Sequence, residues 1–145
     1  MVPFSIVLAS FLSMEFIAWF SHKYIMHGFM WNWHESHHRP RLGFFEKNDL
    51  FSLVFSIPAI ISILIGRAYP AIGFLVWVGI GITAYGVFYF IFHDVIVHRR
   101  IHIKYVAKSK YMKRIIRAHK IHHKKMTKEE CEAFGFLYAP KKYDA

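Results

Sequence analysis

Three long apolar runs in a chain of only 145 residues decide most of what it can fold into. The first covers about residues 2–20 and is interrupted only by Glu15; the others cover about 50–65 and 68–92. A helix needs about 20 residues to cross a ~30 Å hydrocarbon core. Each run therefore reads as a membrane span, the second short and the third long enough to tilt or project. A soluble domain of this size buries only roughly 70% of the surface its unfolded chain exposes. That is too little for a chain that is 55% hydrophobic and 19% aromatic. The predicted fold class is all-α: an integral membrane helical bundle of about three spans, with residues 1–145 as a single domain. The first run lacks a basic leader and a small-residue cleavage site, so it is expected to be kept as a span and not removed as a signal peptide.

The second and third spans are separated by little more than Gly66-Arg67, with Tyr69-Pro70 beside it, which requires a tight hairpin. Three spans then place residues 21–49 and 93–145 on one side of the membrane. Residues 99–145 hold 14 of the 19 Lys/Arg and four of the nine acids, and so carry the whole net charge of +10. The positive-inside rule puts that side in the cytoplasm. Anionic lipid headgroups are expected partners, at about 1 kcal/mol per basic residue near the surface. Nucleic acid is not, because the other half of the chain is apolar. Residues 105–128 read as a basic surface helix at the headgroups. Gly73, Gly79, Gly81, Ala84 and Gly86 read as packing residues of the third span, with a re-entrant hairpin at Gly79–Gly81 as the alternative.

All eleven histidines lie in the two segments on the basic side, and ten follow one repeated pattern. His22-x4-His27 is followed by His34-x2-His37-His38, and His93-x4-His98 by His119-x2-His122-His123. Only His102 is left over. Each copy begins directly after an apolar span, so residues 22–38 and 93–123 form a cytoplasmic histidine-rich di-metal cap. On a helix, positions i, i+3 and i+4 share a face, so each H-x2-H-H unit can converge. Positions i and i+5 lie about 140° apart on an ideal helix. Either the helix widens there into a π-turn, or the two imidazoles serve different metals. Ten imidazoles exceed the three or four that one zinc takes, and two ions with about five nitrogens each fit better.

The donor set suits iron, zinc, copper or nickel, and zinc can replace iron in purified protein. Iron is favoured because a site at the lipid face meets apolar substrates, and breaking an unactivated C–H bond requires an oxidant built from O₂ that zinc cannot supply. Zinc-dependent lipid hydrolysis is the alternative within that donor set. The single cysteine, Cys131, permits neither an intrachain disulfide nor a cysteine cluster. No flavin, haem or iron–sulfur motif is visible, so the electrons must come from outside.

Glu15 lies seven positions before His22, nearly on the same helix face. It is read either as a hydrogen-bond partner of a ligating imidazole or as a partner of another span. Asp94 would orient His93, or else be a solvated or helix-capping carboxylate. Glu46 and Asp49 mark a helix start before the second span. Tyr24, Trp31 and Trp33 read as interfacial aromatics, with a substrate-lining role open.

Several segments resemble the bacterial β-carotene 3-hydroxylases of the membrane fatty-acid/sterol hydroxylase superfamily. They are Met14-Glu15-Phe16, His22 to Gly28, Trp33 to His38, Phe45 to Leu50, Ala84-Tyr85-Gly86, His93-Asp94, Val97-His98, Ala118 to His123, and Phe134 to Pro140. The histidine pattern is common to the superfamily; the Asn48-Asp49-Leu50 and Phe134-to-Pro140 segments narrow the likeness to carotenoid hydroxylases. The resemblance implies a non-haem di-iron monooxygenase of the bacterial inner membrane. Its substrate would be a carotenoid from the bilayer, hydroxylated at C3 of the β-ionone ring with O₂ and electrons from reduced ferredoxin and ferredoxin reductase. β-Carotene would give β-cryptoxanthin and then zeaxanthin. The implied metal ligands are His22, His27, His34, His37, His38, His93, His98, His119, His122 and His123. Ile101-His102-Ile103 and the charged stretch 124–132 depart from the family pattern. A related sterol or fatty-acyl oxygenase and a membrane metal transporter are the competing functions.

Overall fold

A computed structural model describes residues 2–40 and 43–144, all helical or irregular with no strand among them. Helix α1 (Val2–Phe20) runs without interruption into a π-helical segment (Ser21–Phe29), and α2 (Trp31–His38) follows a kink at Gly28. Helix α3 (Leu50–Ala68) and helix α4 (Leu75–Tyr89) are joined by a single 3₁₀ turn (Pro70–Ile72), the expected tight hairpin. α4 also continues into a π-helical segment (Phe90–Val97), and α5 (Lys110–His122) lies beyond it.

Counting these extensions, three helices are long and apolar enough to cross a membrane: Val2–Phe29, Lys47–Ala68 and Leu75–Val97. The expected spans at 2–20, 50–65 and 68–92 match them, with the third starting later because Pro70 begins a separate turn. Phe4 and Phe16 of α1, Leu53, Ile60 and Leu64 of α3, and Val87 of α4 are each more than half exposed. Apolar side chains of that size on all three long helices need lipid to cover them. The protein is a membrane-embedded all-α bundle.

α4 is the central helix, packed against both α1 and α3. Small residues make those contacts possible. A Cβ on Gly81 would lie 2.7 Å from the Val7 carbonyl oxygen and 2.6 Å from the Ser10 Cβ; one on Gly79 would lie 2.6 Å from the Ala59 carbonyl oxygen. These are packing glycines inside a continuous helix, so the re-entrant alternative fails.

The buried core joins the spans to the segments that follow them. Met14 of α1, Tyr85 of α4, Phe92 of its π-helical extension, Ile115 and Ala118 of α5, and Phe136, Ala139 and Tyr143 of the C-terminal segment pack together. This overturns the reading of residues 105–128 as a headgroup helix. Only residues 110–122 are helical, begun by the Ser109 hydroxyl accepting from the Met112 N–H at 3.2 Å. The buried stripe of that helix, Ile115, Ala118, His119 and His122, faces protein. Its apolar face was legible, but periodicity does not say whether lipid or protein covers it.

Gly81→Val is expected to destabilise the bundle by ~1–3 kcal/mol through overpacking. Gly86→Ala, where a Cβ meets nothing within 4 Å, should not. Unfolding in detergent micelles would compare the two, and equal stabilities would refute close α1–α4 packing.

Candidate metal centre

The ten patterned histidines form two groups of five. His22, His27, His34, His38 and His122 make the first; His37, His93, His98, His119 and His123 make the second. Within each group one donor atom per residue lies within 4.8 Å of all the others. His102 is exposed and belongs to neither.

The π-helical segments explain the H-x4-H spacing. The His98 N–H donates to the His93 carbonyl at 2.9 Å and the Met30 N–H to the Ile25 carbonyl at 3.0 Å, both five residues back. A turn widened by one residue carries positions i and i+5 to the same side. His22 and His27 therefore share one group, and His93 and His98 share the other. The H-x2-H-H units behave differently: each splits. His34 and His38 enter the first group and His37 the second, while His119 and His123 enter the second and His122 the first. Each short helix lies between the groups and donates to both.

Hydrogen bonds at the outer nitrogens determine what the inner ones can do. Nδ1 of His22, His27, His38 and His122 donates to the backbone carbonyls of Phe134, Lys128, Lys125 and Glu132 at 3.1, 3.2, 2.8 and 2.8 Å. Nδ1 of His34 donates to Asn48 Oδ1 at 2.7 Å. Nδ1 of His37 and His93 donates to Glu46 and Asp94 at 2.9 and 3.2 Å. A neutral imidazole carries one proton, so each Nε2 of these seven rings is a bare lone pair. Yet Nε2 pairs approach closely: His22–His34 at 3.0 Å, His27–His122 at 3.1 Å, His34–His38 at 3.3 Å and His37–His93 at 3.2 Å. Two lone pairs cannot hydrogen-bond each other.

Protonation offers no escape. Burial pushes His34 down to about 2 and His122 to about 3, against hydrogen bonds that pull them up. Burial, and then the neighbouring imidazoles, holds His37, His119 and His123 far below the usual imidazole range. Neutral imidazoles converging on one point have the protonation state and geometry that could hold a metal ion. Nitrogens about 90° apart on an ion with ~2.1 Å bonds lie ~3.0 Å from one another, against ~3.4 Å for a tetrahedral zinc site. The observed spacings of 3.0 to 3.3 Å fall between the two values, the range expected of nitrogens that share one ion. His123 Nε2 is buried and has no hydrogen-bond partner, as expected of a ligand atom.

The groups differ in what backs them. Four backbone carbonyls and one amide support the first, whereas two carboxylates support the second. Carboxylate partners raise ligand basicity. Arg100 holds those carboxylates in place: its guanidinium lies 2.7 Å from Asp49, 3.3 Å from Asp94 and 3.9 Å from Glu46. Arg99 takes a left-handed conformation (φ 51°) that ends the helix and turns the Arg100 N–H back onto the Asp94 carbonyl at 2.8 Å.

Asp94 thus orients a ligand, one of its two expected roles. Glu46 and Asp49 do form the capping box expected at a helix start, but Glu46 also serves His37. That role, Asn48 and Arg100 were missed by sequence reasoning. Asn48 lies in one of the family-like segments and could have been found there. Glu15 contacts no imidazole. It accepts from the Tyr85 hydroxyl at 2.8 Å and from the Phe136 and Leu137 N–H groups at 2.8 and 2.7 Å. Its partner is another span together with the loop whose Phe134 carbonyl supports His22. Trp31 packs on His27 and His38 and Trp33 on Phe51, while Tyr24 is half exposed beside Phe20. None of the three lines the cavity beside the histidines.

That cavity, about 540 Å³, runs from His22, His34, His93 and His119 into an apolar space walled by Met14, Phe51, Phe55, Ala59, Ile82 and Phe136. An apolar ligand in it would reach both groups from the span side.

Comparison with known proteins places these features in context. Residues 7–140 match the fatty acid hydroxylase family. A "Beta-carotene hydroxylase" of Pantoea ananas is 48% identical over 93% of this chain and 76% of the relative's length. Proteins of the same name from Pseudescherichia vulneris and Paracoccus sp. (strain N81106 / MBIC 01143) are 48% and 40% identical, over 96% and 97% of this chain and 78% and 86% of their own lengths. No solved structure matches.

Titration of metal-free protein with Zn²⁺, a redox-inert probe, is expected to fill two sites per chain. Glu46→Ala should weaken one step about 10–100-fold, the range for loss of such a partner, and leave the other. Weakening of both steps alike, or of neither, would contradict the division into two groups.

Proposed function

This chain belongs to the fatty acid hydroxylase family, and on that premise we propose that it is a carotenoid ring hydroxylase, acting on C3 of the β-ionone ring with O₂. The names of its relatives favour a carotenoid over a sterol or fatty-acyl substrate. The observation that carries the reading is that two five-imidazole groups share the inner end of an apolar cavity bounded by membrane-spanning helices. β-Carotene would give β-cryptoxanthin, and a second hydroxylation at the other ring would give zeaxanthin.

The metal proposed for both groups is iron, held by His22, His27, His34, His38 and His122 on one side and by His37, His93, His98, His119 and His123 on the other. Iron bound there supplies the redox chemistry that activates O₂ for insertion into an unactivated C–H bond. The chain's own contribution is position and dryness. The walls of the cavity hold one ring end of a rod-like substrate beside the imidazoles and leave the rest in the bilayer, which turns an encounter into a near-attack geometry. Phe134 packs edge-on against His22, His27 and His122 and keeps water from the first group. Tyr89 stacks on His93 at 4.6 Å and limits where a ring can lie against the second.

The proposed setting is the cytoplasmic face of a bacterial inner membrane, supported by the basic charge on the histidine-bearing side. Reduced ferredoxin with its reductase is the proposed source of electrons.

Pigment chromatography of cells making β-carotene checks the reading, with this chain expressed beside a His37→Ala control. Cryptoxanthin and zeaxanthin should appear only with the intact chain. Unchanged β-carotene, despite inserted protein and a competent reductant, would refute carotenoid hydroxylation.

A further inference from the structure

One glycine of α4 is required neither by its helix nor by its neighbours. Gly86 lies inside α4, where glycine costs a helix roughly 1 kcal/mol relative to alanine. Close packing offsets that cost at Gly79 and Gly81, but a Cβ on Gly86 would meet nothing within 4 Å. The space left open is the apolar cavity, which Gly86 lines together with Ile82 and Tyr89. Positions i, i+4 and i+7 share one helix face, and at its far end Tyr89 stacks on His93.

The helices around Gly86 are unevenly spaced. On the α1 side the wall is closed at this level: Phe11 packs edge-on against Tyr85 and Phe88 at 5.4 and 5.8 Å, and the Tyr85 hydroxyl donates to Glu15. On the α3 side, contact is tight near the hairpin. A Cβ on Gly66 would lie 2.7 Å from the Val76 nitrogen, and one on Gly79 2.6 Å from the Ala59 carbonyl oxygen. About two turns beyond Gly79, at Gly86, that contact is gone. α3 and α4 therefore diverge toward the cap, and Ser52 and Ser56 of α3 face the wedge with Gly86, Val87 and Phe90, all of them exposed. Both serine hydroxyls donate to backbone carbonyls, of Asp49 and Ser52, at 2.6 Å, so neither shows an unpaired donor to hydrocarbon.

A second opening, a cleft of about 360 Å³ beside α2 and α5, reaches His37, His38, His98, His119 and His123 from the cap. No residue of α1, α3 or α4 lines it, so a molecule dissolved in the bilayer has the apolar cavity as its approach. That cavity, about 540 Å³, suits a ligand of drug size. A carotenoid is far longer, a stiff polyene with a ring at each end. With one ring beside the histidines, the polyene has to leave the protein, and the wedge is where the wall is open.

We propose that Gly86 is a specificity-determining residue: its missing side chain leaves the passage through which the polyene runs from the histidine-lined end of the cavity, between α3 and α4, into the bilayer. A side chain at this position would leave room for a detached ring and obstruct a long rod. The inference rests on the carotenoid reading for the identity of the rod, but the passage is testable without turnover.

The test reads the β-carotene retained per chain after extraction of the full chain from pigment-containing nanodiscs, for Gly86→Ala, Gly86→Val and Gly86→Leu. Retention should fall in that order, by about tenfold or more at leucine, the scale of a misfit in an apolar site. Ala84→Leu adds the same side chain at an exposed α4 position outside the cavity and should change retention by less than about twofold. Zn²⁺ titration confines the comparison to chains whose two histidine groups still fill. The rate of hydroxylation of β-carotene relative to β-ionone, a single ring with a short tail that the cavity can enclose, should fall in step with retention. Undiminished retention across the Gly86 series, or equal loss in Ala84→Leu, overturns the proposal. So does a rate ratio that stays constant while retention falls, since the obstruction would then act on the ring and not on the polyene. An unsubstituted chain that neither retains nor hydroxylates β-carotene would instead refute the carotenoid reading itself, so the two failures are distinguishable.

Discussion

Lone pairs of buried neutral imidazoles, facing one another at about 3 Å, are the constraint around which the cap is organised. Each such contact is repulsive without a cation between the nitrogens, and burial holds His34, His37 and His122 below the usual imidazole range. Other features of the cap follow from holding ten rings in that arrangement. The outer nitrogens need acceptors, so the chain after α5 wraps the first group and presents the carbonyls of Lys125, Lys128, Glu132 and Phe134. The second group takes Glu46 and Asp94 instead, and those carboxylates need Arg100. A metal held there would share in the cohesion of the cap, in the way that metal binding and folding are generally coupled.

The spans contribute direction as well as anchorage. α1 and α4 do not stop at the end of the apolar run; each widens into a π-turn that delivers two histidines at a spacing an α-helix would scatter. π-helical hydrogen bonding is strained and usually confined to single turns at functional sites. Here it occurs twice, at corresponding places, and each time it joins a lipid-embedded helix to the donor set. Glu15 ties the same junction from the other side. Its carboxylate, costly in a span, is satisfied by Tyr85 and by two backbone donors of the C-terminal segment. It therefore fixes the loop that supports His22 to the helices that enclose the apolar cavity.

What could be read from the sequence was what is local. Run length gave three spans, and the repeated spacing gave the ten histidines that gather into two groups. What could not be read was the division of labour. Residues i, i+3 and i+4 share a helix face, which is why His34, His37 and His38 look like one set; nothing in the spacing reveals that the face points between two centres. Backbone acceptors leave no trace either, because any residue type at 125, 128, 132 or 134 supplies a carbonyl. Glu46 was legible as a cap because the capping box is local, and illegible as the partner of His37 because that contact depends on how α2 meets the turn before α3. The α5 stripe failed for a related reason: amphipathicity reports that a face is covered and is silent on the covering material.

The two openings show how one cap can serve reactants that never share a phase. An apolar molecule confined to the bilayer reaches the imidazoles through walls supplied by α1, α3 and α4, and its approach is set by packing. A water-soluble reactant would meet the cleft formed by the ends of α2, α5 and the second π-helical segment with Arg39, Pro40 and Met126. Separation of this kind needs no moving part. It follows from a donor set gathered at the membrane boundary, with His22, His34 and His93 turned toward the spans, His37, His38, His98 and His123 toward the cleft, and His119 bordering both. His38 and His123, both on the cleft side, belong to different groups of five and stack at 4.5 Å, so the two groups touch face to face there.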